Sequence, residues 1–301
     1  VEDSLPPEAR TLERLRRRLL DLLETYGYEL VQPPLLEYTE SLLSGTGRDL
    51  DLATFRLADR LSGRQLGVRA DHTPQVARID AHLLNREGVT RLAYCGSVLH
   101  TMPAGMTTTR EPIQLGAELY GHAGLEADLE VLRLMGRVLA SAGIPKVNID
   151  IGHPRIHRAL AEGAGLERED AEVLFHAVQQ KDAPAVRAMA PLLGADRSVA
   201  LERLTRLNGG AEVLARARES LPKDPAIGEA LGALEWLAKE LAAPGLEIVL
   251  FNALGTHRPN TEAELRGMVG DAIYERRRIV QNDTFDPATQ VRVGTTSKGH
   301  E

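Results

Sequence analysis

The chain changes texture at residue 153, and that change limits what it can fold into. Before it, short apolar runs alternate with Pro, Gly and Asp turns. From 153 to 241, Ala, Leu, Glu and Arg dominate, with breaks at Gly163-Ala164-Gly165, Lys181-Asp182, Gly194, Gly209-Gly210 and Pro222. Those breaks predict five or six short helices without a fixed-period repeat. Strands followed by a block of helices predict an α+β architecture with an antiparallel sheet.

Before the change, Pro6-Pro7 opens a helix on which Leu12, Leu15, Leu19, Leu22, Leu23 and Tyr26 recur at helical spacing, and Gly27 stops it. Arg14, Arg16, Arg17 and Arg18 lie mostly off that stripe and read as a solvated face. A strand is predicted at 28–31, ended by Pro33-Pro34, and two more at 54–57 and 65–68 around Ser62-Gly63. Thr73, as N-cap before Pro74, predicts a helix to about Asn85. Strands follow at 91–99 and 111–120, joined by a Gly- and Thr-rich loop, then a helix at 125–142 and a strand at 147–151. Beyond Ala243-Pro244-Gly245 come a buried-type strand at 246–251, a turn at 255–259, and a capping box at Thr261-Glu262-Ala263-Glu264 that starts a helix to about Met268.

Composition excludes several classes. Acidic residues outnumber basic ones 43 to 36, a net charge of −7, which argues against a general nucleic-acid binder. Cys95 is the single cysteine, so a disulfide framework and a multi-cysteine zinc site are out, and its apolar strand makes it inert packing. No apolar run reaches ~18 residues, so no membrane helix is expected. The chain opens Val1-Glu2-Asp3-Ser4 without a leader-like pattern or an initiator Met, so a processed, trimmed or fragmentary cytoplasmic protein is expected. The nine histidines show no metal spacing: His72 and His82 fall on unlike helix faces, and His153 and His157 lack a third ligand nearby. Neither a Walker loop nor a dinucleotide glycine fingerprint occurs, so no metal or cofactor is expected.

The densest polar group joins Arg69-Ala70-Asp71-His72-Thr73 to residues 110–118. In the strand there, 114, 116 and 118 share one face, so Gln114 and Glu118 point the same way across the gap left by Gly116. A carboxylate and an amide oxygen flanking a missing side chain suit a bound ammonium group, and Asp71 and Thr73 could complete its shell. The same pattern also fits a sheet surface with scattered polar residues.

Residues 69–80 (RADHTPQVARID) and 107–121 (TTTREPIQLGAELYG) resemble the histidyl-tRNA synthetase-like core. More closely they resemble the regulatory subunits of ATP phosphoribosyltransferase, synthetase paralogues in histidine biosynthesis. YGYELVQPP at 26–34, SGTGRDL at 44–50 and HAGLEAD at 122–128 extend the likeness over about 1–242. It implies a class II aminoacyl-tRNA synthetase-like fold: a six-stranded antiparallel sheet with flanking helices, here with a helical insert and a short α/β tail. It also implies dimerisation around 27–34.

The resemblance can be followed residue by residue. The synthetase's phosphate-gripping Arg falls at His100, the Glu two residues on at Met102, a flipping-loop Arg at Thr108, and the adenine-stacking Phe at Pro112; Arg110 is kept. An ATP site needs permanent cations and a stacking platform, so aminoacyl-adenylate chemistry is not expected and no residue is catalytic. The positions that hold the histidine ammonium group match better, at Asp71, Thr73, Gln114 and Glu118. The histidine-binding set implied is therefore Asp71, Thr73, Arg110, Gln114 and Glu118. The role implied is a non-catalytic subunit that activates the ATP phosphoribosyltransferase catalytic subunit and carries histidine feedback inhibition to it.

The tail departs from that family. The second histidine motif and closing strands expected there are missing, which leaves the sheet an open edge; the strand at 246–251 is a candidate substitute. Residues 246–301 instead resemble the nickel-pincer lactate racemases, through FNALGTHRP at 251–259, TEAEL at 261–265 and VGTTS at 293–297. That likeness implies an acid/base role for His257, but the second base that racemisation needs does not follow. The expected organisation is a core at 1–152, a helical insert at 153–242 and a racemase-like fragment at 243–301, joined near 242–245 as a fusion. A racemase-family fragment or a histidyl-tRNA synthetase is the alternative function.

Overall fold

The computed structural model describes residues 3–43, 48–102, 109–144 and 147–241 and the strand at 246–250. The chain divides into two compact units, parting between Ile144 and Pro145.

The first unit begins with helix α1 (Pro6–Thr25), whose proline occupies the first turn, where a missing N–H removes no helical bond. Gly27, at φ +80°, turns the chain out of the helix and donates to Glu24 O at 2.8 Å. Leu19 and Leu23 face the core, while Arg16 and Arg17 pair with Glu13 on the outer side. Strand β1 (Glu29–Leu30), strand β2 (Leu36–Tyr38) and the short helices α2 (Thr39–Leu42) and α3 (Arg48–Ala53) follow. Then come β3 (Phe55–Ala58), β4 (Gln65–Val68), helix α4 (Thr73–Arg78), β5 (Thr90–Ser97), β6 (Ile113–Tyr120) and α5 (Leu125–Ser141).

These strands form two three-stranded sheets, ordered β1-β5-β6 and β2-β4-β3. The resemblance implied one antiparallel six-stranded sheet. Among the described residues, β2, β3 and β4 pair with one another instead, and β1 joins β5 in parallel. The β5–β6 ladder is antiparallel with Tyr94 opposite Gly116, and it runs on past the strand ends through Val98 N to Pro112 O (3.0 Å) and His100 N to Arg110 O (2.9 Å).

The period-2 alternation of β5 and β6 sorts the two faces of their sheet. Ala93, Leu115 and Ala117 pack with Leu23, Tyr28 and Leu134 under α1 and α5. An ion pair pins that side: Arg91 holds Glu130 of α5 through two nitrogens at 2.7 Å each, and Tyr28 Oη donates to the same carboxylate at 3.0 Å. Leu92, Tyr94 and Tyr120 pack on the other side with Val76 and Ile79, under α4 and its extension.

The start of α4 differs from the sequence expectation. His72, not Thr73, stands at the N-cap position, and the Thr73 hydroxyl is turned away to the sheet. Asp71 Oδ1 accepts from Thr73 N at 3.1 Å, so the carboxylate two residues back satisfies an early N–H. After Arg78 the helix widens into one π-helical stretch (Ile79–Leu84) that ends at Asn85, in the left-handed region at φ 44°.

In the second unit, strand β7 (Val147–Ile151) precedes helices α6 (Pro154–Ala161), α7 (Arg168–Gln179), α8 (Ala183–Ala188), α9 (Ala190–Leu193), α10 (Ala195–Leu204), α11 (Glu212–Ser220) and α12 (Pro225–Leu241), then strand β8 (Leu246–Leu250). Seven helices stand where five or six were expected. Pro191 cannot continue the α8 hydrogen-bond ladder, and Gly194 at φ +80° ends α9 after four residues. Asp182 caps α8 by accepting from Ala185 N at 2.9 Å. Helix α10 touches α6, α7, α8, α9 and α11, and Leu174, Leu193, Leu201, Leu204 and Ile227 are buried. The strand considered as a substitute for the first unit's missing edge pairs in parallel with β7, Val147 opposite Leu246. The turn and helix expected at 255–268, the joint at 242–245 and His257 lie outside the described residues.

Candidate functional site

Four of the five residues expected to bind histidine meet where the N-terminus of α4 crosses β6. Gln114 Nε2 donates to Asp71 Oδ1 at 2.8 Å. Thr73 Oγ1 donates to Glu118 Oε1 at 3.1 Å. Tyr94 Oη lies 3.3 Å from both Thr73 Oγ1 and Glu118 Oε1. Asp71 is buried, while Thr73, Gln114 and Glu118 are half-buried, so the group has a sealed end and an open one.

Arg110 stands with different partners. Its Nε donates to His100 O at 3.1 Å and its guanidinium lies over the Phe55 ring, 4.8 Å from the centroid. It lines the end of the extended β5–β6 ladder, four residues along the strand from Gln114.

The gap expected at Gly116 is filled. A Cβ there would come within 2.2 Å of Tyr94 Cζ, so the glycine makes room for the phenol that reaches Glu118. Gly96 does the same for a second ring: a Cβ on it would meet Arg69 Nη2 at 2.9 Å and His72 Nε2 at 3.2 Å. The His72 and Tyr94 rings stack with centroids 4.7 Å apart and planes 10° apart. Sequence reasoning missed Tyr94, His72 and Gly96. Their signal was the register, because Tyr94 faces Gly116 and Gly96 faces Gln114 across the ladder, and pairing is not readable from one strand alone.

Burial dominates the electrostatics. It pushes the His72 imidazole down to about 4, against the opposing pull of its hydrogen bond to Gln114. Burial also lowers the His100 pKa, and raises that of the Tyr120 phenol, whose oxygen is sealed without a hydrogen-bond partner behind Glu118 on the same strand face.

Of the adenylate-forming positions among the described residues, Arg110 keeps its cation and the others carry no matching chemistry. His100, at the phosphate-gripping position, is buried and its Nε2 lies 3.1 Å from Ala70 O, which makes it a prop for the Asp71 segment. Met102 is 73% exposed and Pro112 is buried as part of the ladder. Neither can clamp a phosphate or stack a purine. Thr108 lies outside the described residues. The arrangement can hold a primary ammonium group between Asp71, Glu118 and the Thr73 hydroxyl.

The family model described as histidyl-tRNA synthetase matches residues 1–258. That described as the lactate racemase N-terminal domain matches 229–301. The ATP phosphoribosyltransferase regulatory subunit of Ralstonia nicotianae is 56% identical over 257 residues, 85% of this chain and 67% of the relative. That of Azoarcus sp. is 52% identical over the same shares. The chain spans about two thirds of the length of these relatives. A solved ATP phosphoribosyltransferase regulatory subunit/histidyl-tRNA synthetase from Bacillus halodurans superposes with a TM-score of 0.71 at 27% identity, over 84% of this chain and 67% of that one. The ATP phosphoribosyl transferase (HisG:HisZ) complex from Thermotoga maritima shares the fold, with a TM-score of 0.55 at 17% identity over 80% and 81% of the two chains. With a buried histidine bonded to Ala70 O at the phosphate-gripping position, the chain belongs to the ATP phosphoribosyltransferase regulatory subunits, the non-catalytic synthetase-like family of histidine biosynthesis.

Proposed function

We propose that this chain binds an ATP phosphoribosyltransferase catalytic subunit in the cytoplasm, activates it, and transmits feedback inhibition when histidine occupies the pocket of Asp71, Thr73, Gln114 and Glu118. Arg110 marks the far end of that pocket, where a carboxylate would meet a permanent cation. The chain self-associates as a dimer through 27–34. The core at 1–152 carries the effector site, 153–242 is a helical insert, and 243–301 is an appended racemase-like segment. One observation carries the reading: Thr73 donates its N–H to one carboxylate, Asp71, and its hydroxyl to another, Glu118, while the phosphate-gripping position holds a buried histidine. A protein that keeps the amino-acid end of a synthetase site and loses its nucleotide end can sense histidine without forming an adenylate. Feedback then requires histidine to bind the two states of the complex unequally.

The test is reconstitution. Mixed with a short-form catalytic subunit, the chain is expected to raise phosphoribosyl-ATP formation, and added histidine to reverse the gain. A folded chain that gives no activation at any ratio sinks the regulatory reading. Activation that histidine leaves untouched sinks the effector site and leaves subunit assembly standing.

A further inference from the structure

We propose that His72 is a positioning residue of the ammonium pocket: it locks the Gln114 amide so that Asp71 and Glu118, and not the Gln114 oxygen, receive the ligand's amino group. The inference rests on the histidine-binding reading above and adds a residue to it.

Two anchors determine the amide. One Gln114 atom lies 3.0 Å from the His72 backbone N–H, an obligatory donor, and is therefore the oxygen. The other lies 2.8 Å from Asp71 Oδ1, an acceptor, and is therefore the nitrogen. With the oxygen placed, the His72 ring nitrogen 2.8 Å away from it must carry a proton, so the imidazole is the Nδ1–H tautomer. The ring is 1% exposed and its lowered pKa keeps it neutral near pH 7, which leaves Nε2 without a proton. An amide oxygen offers two lone pairs, and His72 takes both, one from the main chain and one from the ring. Gln114 then reaches a ligand through Asp71, whose Oδ1 it holds together with Thr73 N.

The ring itself cannot swing away. Tyr94 stacks on one face, and the backbone of Gly96 approaches so closely that a Cβ would sit 3.2 Å from Nε2. Histidine 72 thus takes part in recognition while touching no ligand. Its work is to keep an amide from flipping and competing for a carboxylate's place.

The test uses the full chain titrated with L-histidine by calorimetry, in three variants. Asparagine carries its N–H donor at the δ position, as the Nδ1–H of histidine does; glutamine carries it one bond further out. His72→Asn is expected to bind histidine within about threefold of the unsubstituted chain, and His72→Gln and His72→Leu to weaken binding by about tenfold, one hydrogen bond's worth. Equal affinities for the Asn and Gln variants, or a Leu variant that binds like the parent, overturn the inference and leave the pocket intact. So does a nitrogen NMR spectrum that shows the His72 proton on Nε2. A parent chain that does not bind histidine overturns the pocket reading, and this inference with it. The Asn and Gln variants decide the matter even if the leucine variant does not fold.

Discussion

Each of the two units buries a histidine, and each keeps it neutral, yet by different means. His72 in the sheet unit hydrogen-bonds to Gln114 and stacks on Tyr94. His157 in the helical unit meets Phe175 edge-on at 5.5 Å, and its Nε2 is buried with no hydrogen-bond partner. Burial pushes both down to about 4; at His157 the neighbouring Arg158 adds to the push, while at His72 the Gln114 bond resists it. The same shift therefore accompanies a hydrogen-bonded, stacked imidazole in one unit and an imidazole packed edge-on against a ring in the other. The surroundings agree. Arg69, Asp71, His72, Gln75 and His100 are all buried near the sheet site, whereas the interior of the helical unit is mostly leucine, valine and alanine.

The comparison can be broken most forcefully by a cavity. Leu201→Ala, in a fully buried position of α10, should cost the helical unit about 3 kcal/mol. Hydrogen exchange is expected to place the loss at 154–241 and calorimetry to find histidine affinity unchanged. A fall in affinity would show that the units are not separate in function.

The converse is Gly116→Ala. Its Cβ would collide with the Tyr94 ring, so overpacking should cost about 1–3 kcal/mol and weaken histidine binding by more than about tenfold. Retained binding would mean that Tyr94 does not shape the pocket.

A subtler test separates the two histidines by pH. A folded pKa of about 4 against an ordinary 6.5 means the unfolded chain binds more protons between those values. Stability is thus full above pH 6.5 and is lost as pH falls towards 4. His157→Phe should reduce that acid sensitivity in the helical unit alone, leaving the share of His153, whose pKa burial also lowers, and change its stability at pH 7 by no more than about 1 kcal/mol, since it deletes an unpartnered nitrogen. Exchange rates in the helices that rise on acidification as much as in the parent would show another group to be responsible. The smallest effect is expected from Arg168→Ala, which removes a solvent-exposed pair with Glu172; a thermal melt indistinguishable from the parent is the outcome.

What the sequence made legible follows the range of the forces involved. Helices α1 and α5 and strands β5 and β6 carry strong periodicity and were readable to within a few residues. Gln114 and Glu118 could be grouped because the period of a strand puts them on one face, and the family resemblance placed Asp71 and Thr73 with them. What lay hidden depended on pairing between segments. Tyr94 fills the gap at Gly116 because β5 and β6 align in one register, and His72 displaces Thr73 as the cap because the threonine hydroxyl finds Glu118, 45 residues away. The fate of the strand at 246–250 was hidden for the same reason: an apolar run does not announce which neighbour it will join, and here it joins β7.

Residues 69–78 face two ways. Asp71 and Thr73 belong to the pocket, while Arg69 donates to Pro33 O at 2.7 Å, Gln75 to Pro34 O at 2.9 Å and to Glu37, and Arg78 pairs with Glu37 at 3.0 Å. Ten consecutive positions thus serve two masters, the Gln114–Glu118 strand on one side and the Pro33–Glu37 chain on the other. In the course of descent neither duty can drift alone: a substitution favoured by one is vetted at once by the other, and this stretch should accept its changes in sets.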